Sequence, residues 1–262
     1  MMLCKTACFF NMNDMIYETP RLISSAYIDS TVRLGVAQTL LVVQDNVTEC
    51  FGRLKCDGVI YRKKYNAFWV FTKALIHFNH RPDWCETVTT RTFPVDNGGL
   101  RTHINSEAFD KNGELAFAAY YEACVLSFEN HRPQKLATLG YPTENFPTPV
   151  FSSQFTRFPT FPDGADDTVQ NEKYFVFEQK IRSSLIDMSQ HMNNTEYVKL
   201  ALSTFTNDYL REHNILELEA HFTGESKEGQ TLRVYRRDED SNTFVYIKES
   251  ERLVFECRIT FK

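Results

Sequence analysis

The sequence has little glycine, no Cys-x-x-Cys pair, no surplus of positive charge and no long apolar run. Each shortage removes a class of protein. Only 10 Gly, with 24% charged residues, argue for a folded globular chain. The net charge of −5 speaks against a nucleic-acid partner. The seven cysteines are Cys4, Cys8, Cys50, Cys56, Cys85, Cys124 and Cys257. Odd in number and scattered, they suit neither a disulfide framework nor a zinc site, and they fit a reducing cytoplasm. No run approaches the ~20 apolar residues of a membrane helix. The start, MMLCKTACFFNMNDM, is too short of apolar residues for a signal peptide. Residues 1–16 are read as a loosely attached leader.

What the chain does have is aromatic bulk. Its 262 residues are 42% hydrophobic and 14% aromatic, with 22 Phe and 12 Tyr. That fills a sizeable core. RLISSAYI (21–28) reads as a strand ending at Asp29, with Ser30 or Thr31 as a helix cap. LGVAQTLLVV (34–43) is apolar nearly all round, the mark of a buried helix. Strand-like runs follow: FWVFTKALIHF, ETVTTRTFPV, LRTHINSEAF and LAFAAYYEACVLSF. Asp96-Asn97-Gly98-Gly99 and Asp110-Lys111-Asn112-Gly113 are the turns between them.

From Glu129 to Asn171 the composition changes, and six of the nine prolines fall here. Proline cannot donate to a β-ladder, so this is a linker between two units. The expected units are 17–130 and 172–262, joined by 131–171. After the linker the first pattern returns. FVFEQKIRSSLID ends in Asp187 as RLISSAYID ends in Asp29. A helix is expected from Thr195 to Leu210, then four strands ending in RLVFECRITF. His77-Phe78 and Thr87-Val88 recur with the same separation as His221-Phe222 and Thr231-Leu232, and CVLSF (124–128) matches CRITF (257–261). Matches in one order on like elements argue for an internal duplication. Cys124 and Cys257 then read as matching core positions. A strand, a long buried helix and an antiparallel sheet curling round it form a hotdog unit. The fold class is α+β, a tandem (double) hotdog.

The stretch LIDMSQHMNNTEYV (185–198) joins a strand-like run to a helix. Asp187, Ser189 and His191 alternate, and extended backbone sends alternate side chains to one face. The helix start beside them, capped by Asn193 or Asn194, favours negative charge. The plainer reading is a capped strand-to-helix turn. It accounts for the Asn pair and leaves the Asp-x-Ser-x-His order unexplained.

From about residue 20 to 262 the chain resembles the acyl-carrier-protein thioesterases, the plant fatty-acyl type and its bacterial relatives. DMSQHMNNTEYV is similar to that family's Asp-x-Asn-x-His-x-Asn-Asn-x-x-Tyr. FWVFTKALIHFNHRPDWCETVTTRTFP (68–94) resembles its Trp-x-x-x-Arg strand and Pro-x-Trp turn, with Lys73 in place of Arg. FTGESKEGQTL (222–232) resembles its Tyr-x-x-Glu strand end. The resemblance implies catalytic roles for Asp187, Ser189, His191 and Glu225, with the first unit shaping the acyl pocket. It implies hydrolysis of fatty acyl-acyl carrier protein without metal or organic cofactor. Two positions depart: Ser189 stands where the family has Asn, and Ser226 where the plant proteins often have Cys. Serine there leaves no cysteine nucleophile. The internal match also sets Arg81 opposite Glu225, and the first-unit loop STVRLG has no His.

An imidazole suits proton transfer near neutral pH, so His191 is a candidate for it; its plainer role is a polar loop residue. Glu225 would act as general base or orient water, or be a solvated strand-end charge. Asp187 would orient His191 or cap nearby N–H groups. Ser189 as a nucleophile is the weaker alternative, because the family residue it replaces is not one. Asn193 and Asn194 open the helix whose N–H groups would receive the oxyanion. Arg62, Lys63 and Lys64 are a candidate patch for the acidic carrier protein, or simply a solvated face. Trp69 is a candidate wall of the acyl channel, or plain core. Two other readings stay open: an acyl-CoA thioesterase, and a non-catalytic acyl binder suggested by Ser189. Pairing two units in one chain is compatible with a monomer or a homodimer.

Overall fold

The computed structural model of the protein describes residues 12–151, 154–161 and 173–262. Most of the expected leader, with Cys4 and Cys8, lies outside the described residues, as does Pro162. The first unit contains β1 (Tyr17–Leu22), α1 (Val36–Arg53), α2 (Gly58–Tyr65), β2 (Ala67–Phe78), β3 (Thr87–Pro94), β4 (Arg101–Phe109) and β5 (Leu115–Ser127). The second contains β6 (Phe175–Lys180), α3 (Asn194–Leu202), α4 (Asn207–Glu212), β7 (Ile215–Phe222), β8 (Thr231–Glu239), β9 (Asn242–Glu249) and β10 (Arg252–Phe261). All ten strands form one antiparallel sheet in the order β1-β3-β4-β5-β2-β7-β10-β9-β8-β6. The order reads alike from both edges, so the sheet is two copies of one five-strand unit joined at β2 and β7. At that seam Lys73 pairs with His221 and His77 with Glu217.

One buried helix per unit lies on the same side of the sheet, as a tandem hotdog requires. α1 buries one broad face, among it Val36, Leu40, Val43, Val47 and Phe51, while Asp45, Thr48, Glu49 and Gly52 are exposed, so the helix is not apolar all round once it runs past Val43. Each such buried side chain contributes about 1.5–3 kcal/mol through burial. Among the helix's buried polar members, Thr39 Oγ1 donates to Gly35 O at 2.9 Å and Asn46 Oδ1 accepts from Arg21 Nε at 2.7 Å, while Asn46 Nδ2 is buried without a hydrogen-bond partner. α3 packs against α1, which brings the two units' helices together.

The structure shortens three expected elements. The first strand ends at Leu22 and β6 ends at Lys180, not at Asp29 and Asp187. In each copy the residue after the strand makes one last ladder-like bond, Ile23 N to Glu86 O and Ile181 N to Gln230 O, both 2.8 Å. The serine-rich segment that follows turns away from the sheet, because serine competes for local backbone bonds. α1 begins at Val36 behind Gly35, so Ser30 and Thr31 do not cap it. The helix expected from Thr195 to Leu210 divides at Ser203–Thr206. Ser203 Oγ donates to Lys199 O at 2.8 Å, and the Thr206 side chain accepts from Tyr209 N to cap α4. A cluster of Ser and Thr ends one helix and starts the next.

The duplication holds, with one change of register. Asn79 and His80 N–H both donate to Ala116 O, as Thr223 and Gly224 N–H donate to Val254 O. Phe78 pairs with Phe117, and its counterpart Phe222 pairs with Phe255. Cys257 is therefore the counterpart of Ala119, not of Cys124. An odd slip in a strand exchanges its faces. Accordingly Cys257 sits in the main core, while Cys124 is buried outside it.

The linker lies across the sheet. Leu136 and Tyr141 reach the main core. Phe158 and Phe161 pack in a second cluster with Tyr235, Phe244 and Tyr246. Thr156 donates to Glu219 from its N–H at 2.7 Å and its hydroxyl at 2.8 Å. Glu219 is fully buried at the seam. Burial pushes its pKa up, but hydrogen bonds from His221 and Thr156 and the Arg258 charge hold it below the ordinary carboxylate value. Burial pushes His221 down, and its bonds to Glu219 and Glu256 hold it above the ordinary imidazole value.

Candidate active site

The loop from Ile186 to Asn193 is a tight turn, not extended backbone. Ile186 bridges Met192. Asp187 N–H donates to His191 O at 2.9 Å, and Gln190 N–H to Asp187 O at 3.0 Å. Gln190 takes a positive φ of 66° to close it. The Asp187 carboxylate accepts from Ser189 N–H at 2.7 Å. Asp187 is thus spent on the turn, and the exposed Ser189 sits at its tip. The alternation argument from sequence does not describe this loop.

His191 is brought to Glu225 instead. Its Nε2 lies 3.1 Å from Glu225 Oε2, with side-chain exposures of 18% and 39%. Two backbone ties hold the partners in register. Met192 N–H donates to Ser226 O at 2.9 Å, and Asn193 N–H to Leu185 O at 3.0 Å. Arg252, at the start of β10, donates from Nη2 to Glu225 O at 2.7 Å. Behind them, burial raises the Tyr197 phenol above its usual pKa, with the neighbouring Ser226 hydroxyl opposing the shift. Arg252 and Tyr197 were not singled out as site residues from the sequence. Arg252 carries no local signal there, because its role depends on a β-turn placing it under Glu225.

Asn193 caps α3, its side chain accepting from Thr195 N–H at 2.8 Å. Asn194 is the first helical residue. Of the first N–H groups of this helix, Thr195 N–H is taken by the Asn193 side chain and Glu196 N–H by the Asn193 carbonyl at 3.0 Å. The other candidates are elsewhere. Trp69 lies on β2, its indole donating to Cys56 O at 2.8 Å and stacking 5.5 Å from Tyr61. Arg62, Lys63 and Lys64 form the exposed last turn of α2, where cations also suit the helix dipole. The Arg62 guanidinium covers Phe128 at 5.1 Å. His80, Glu86 and Asp110 bring possible metal-ligand atoms within 4.8 Å of one another. Asp110, though, already accepts the Asn112 and Glu114 N–H groups of its own turn.

The first unit repeats the loop bond for bond. Ile28 bridges Leu34, Asp29 N–H donates to Arg33 O, and Val32 N–H to Asp29 O. Val32 has the matching positive φ of 61°. Thr31 N–H donates to Asp29 Oδ1 at 2.9 Å, and Leu34 N–H to Pro82 O at 2.8 Å. Here Arg33 stands for His191 and Arg81 for Glu225. Arg81 pairs with Asp29 and donates to Thr31 Oγ1 at 3.0 Å. Neither arginine can accept a proton near neutrality.

The sequence of residues 168–260 matches the family described as the acyl-ACP thioesterase C-terminal domain. The second unit is thus similar in sequence to the acyl-ACP thioesterase C-terminal domain. Solved structures extend the likeness to the whole fold. An acyl-ACP thioesterase from Bacteroides thetaiotaomicron matches 97% of this chain and 100% of its own, with TM-score 0.84 and 16% identity. A putative oleoyl thioesterase from Lactobacillus plantarum matches 95% and 96%, with TM-score 0.79 and 16% identity. A 12:0-ACP thioesterase from Umbellularia californica matches 95% and 97%, with TM-score 0.79 and 14% identity. At such identities the structures show the fold, the tandem hotdog. No curated protein matches the sequence. No helix among the described residues is long and apolar enough to cross a membrane.

Proposed function

We infer that the protein hydrolyses the thioester of fatty acyl-acyl carrier protein and releases free fatty acid. The observation that carries this is the 3.1 Å His191–Glu225 contact, set in a unit that matches the acyl-ACP thioesterase C-terminal domain. Water held beside the His191–Glu225 pair loses its proton to the pair and attacks the thioester carbon. The oxyanion faces the Asn194 N–H at the start of α3, since Asn193 takes the Thr195 and Glu196 N–H groups. The C–S bond then breaks, and the thiolate takes the proton carried by His191. Asp187 fixes the loop rather than the imidazole. Ser189 is a solvent-facing hydroxyl, so an amide's contacts there pass to water or are lost. No step calls for a metal or organic cofactor.

The units are taken as 17–130, with the acyl pocket and Trp69 in its wall, and 172–262, with the catalytic loop. Residues 131–171 join them. Arg62, Lys63 and Lys64 offer the acidic carrier protein a local positive patch on a chain of net charge −5. The free thiols Cys50, Cys56, Cys85, Cys124 and Cys257 agree with a reducing cytoplasm. A homodimer is compatible with the sheet. Turnover of matched acyl-ACP and acyl-CoA tests the reading. Preference for acyl-ACP, reduced by neutralising Arg62, Lys63 and Lys64 together, supports it. Equal or better use of acyl-CoA overturns the carrier-protein substrate, and acyl binding without hydrolysis overturns the enzyme.

A further inference from the structure

The first-unit copy of the loop opens on a cavity of its own. It measures about 340 Å³, within the roughly 300–1,000 Å³ of small-molecule sites. Asp29, Ser30 and Thr31 line it from the first unit's loop, and Val36 and Ala37 from the start of α1. The second unit supplies Leu202, Phe205, Leu210 and Ile215 as an apolar wall. Ser30 and Asn207 hydrogen-bond across its rim and tie the units together.

We propose that this cavity is a second, non-hydrolytic binding site for an acyl chain ending in a carboxylate, at the internal-symmetry counterpart of the catalytic loop. Three observations converge on it. The loop backbone is the same as at His191, so the helix start is presented in the same way. Arg81, Lys199, Gln38 and Asn207 give the polar end of the cavity more donors than acceptors, beside the Asp29 carboxylate that pairs with Arg81. Arg81 is 7% exposed and held in place by Asp29, Thr31 Oγ1 and Leu34 O, contacts that leave N–H groups to spare. Lys199 is steadied by Glu196 at 2.6 Å. The far end is aliphatic and aromatic. A donor-rich end and an apolar end suit a fatty carboxylate. The residues that would activate water are gone, since Arg33 and Arg81 replace His191 and Glu225. A ligand is held here and not cleaved.

The choice of an acyl ligand rests on the hydrolase reading; the existence of the pocket does not. Calorimetric titration with dodecanoate, with dodecanol as the uncharged control, counts the sites. Wild type is expected to bind two dodecanoates per chain. Gln38→Trp, which fills the cavity, and Arg81→Met, which removes its cation, are each expected to bind one. Dodecanol is expected to lose the second site in wild type. Because Arg81→Met also unpairs Asp29, Gln38→Trp is the decisive variant, and its acyl-ACP turnover should equal wild type. A single site in wild type, or two sites persisting in Gln38→Trp, overturns the proposal. Absence of acyl-ACP hydrolysis in the same preparation would count against the hydrolase reading alone.

Discussion

The loops after Ile28 and after Ile186 share a backbone and differ in chemistry. Both close on an Asp that accepts the N–H two residues on, both put a non-glycine residue at positive φ, and both tie to the neighbouring strand end. In one, Arg81 meets Asp29; in the other, His191 meets Glu225. The fold therefore asks only for the turn. Once the turn is set by backbone bonds, the side chains at its rim are free to serve either a clamp or a proton-transfer pair. If His191 and Glu225 are the proton-transfer pair proposed above, one copy of the tandem repeat holds structure while the other does chemistry.

The comparison is broken most sharply at the proton-transfer pair. His191→Ala or Glu225→Ala should lower kcat for acyl-ACP by about 10²–10⁴-fold, while thermal unfolding shows little change, since neither is buried. The clamp should behave in the opposite way. Asp29→Ala strands the buried Arg81 cation. It should cost about 2–3 kcal/mol in chemical unfolding, less than the ~3–5 kcal/mol of a fully buried pair because Asp29 is 30% exposed. Asp187→Ala loses a turn bond and should cost only about 1 kcal/mol.

The seam offers a pH-dependent version of the same contrast. Glu219 sits below its ordinary pKa, so its contribution is present above about pH 4.3 and is lost as pH falls through the folded value. His221 sits above its ordinary pKa, so its contribution is present below about pH 6.5 and is lost as pH rises through the folded value. Thermal stability should peak between these limits. His221→Gln should flatten the alkaline side. The smallest effect is expected at Ser189→Asn. It should raise kcat by less than tenfold and leave stability unchanged, since residue 189 is exposed.

The tandem plan was legible because β-type alternation, a helix apolar nearly all round as far as Val43 and paired landmarks such as His77-Phe78 and His221-Phe222 survive in one dimension. Glu225 was reached through the resemblance, and the match that set Arg81 opposite it proved spatially correct. Boundaries were less legible. Serines after Leu22 and Lys180 look extended in a run of apolar neighbours, yet their side chains favour turns. CVLSF and CRITF look alike, but only the ladder bonds show that they lie out of register. The Ser-Thr break between α3 and α4 hides inside an i, i+4 pattern. Arg252 has no signal in the sequence, since its contact with Glu225 joins two turns far apart in the chain.

The most direct test is a double-mutant cycle on acyl-ACP hydrolysis with His191→Ala, Glu225→Ala and the combined variant. Residues that act as one unit are strongly non-additive. The double variant should be no slower than the slower single variant. Losses that multiply, or fatty acid release that survives in both single variants at the wild-type rate, would contradict the assignment of this pair as the working half of the duplicated loop.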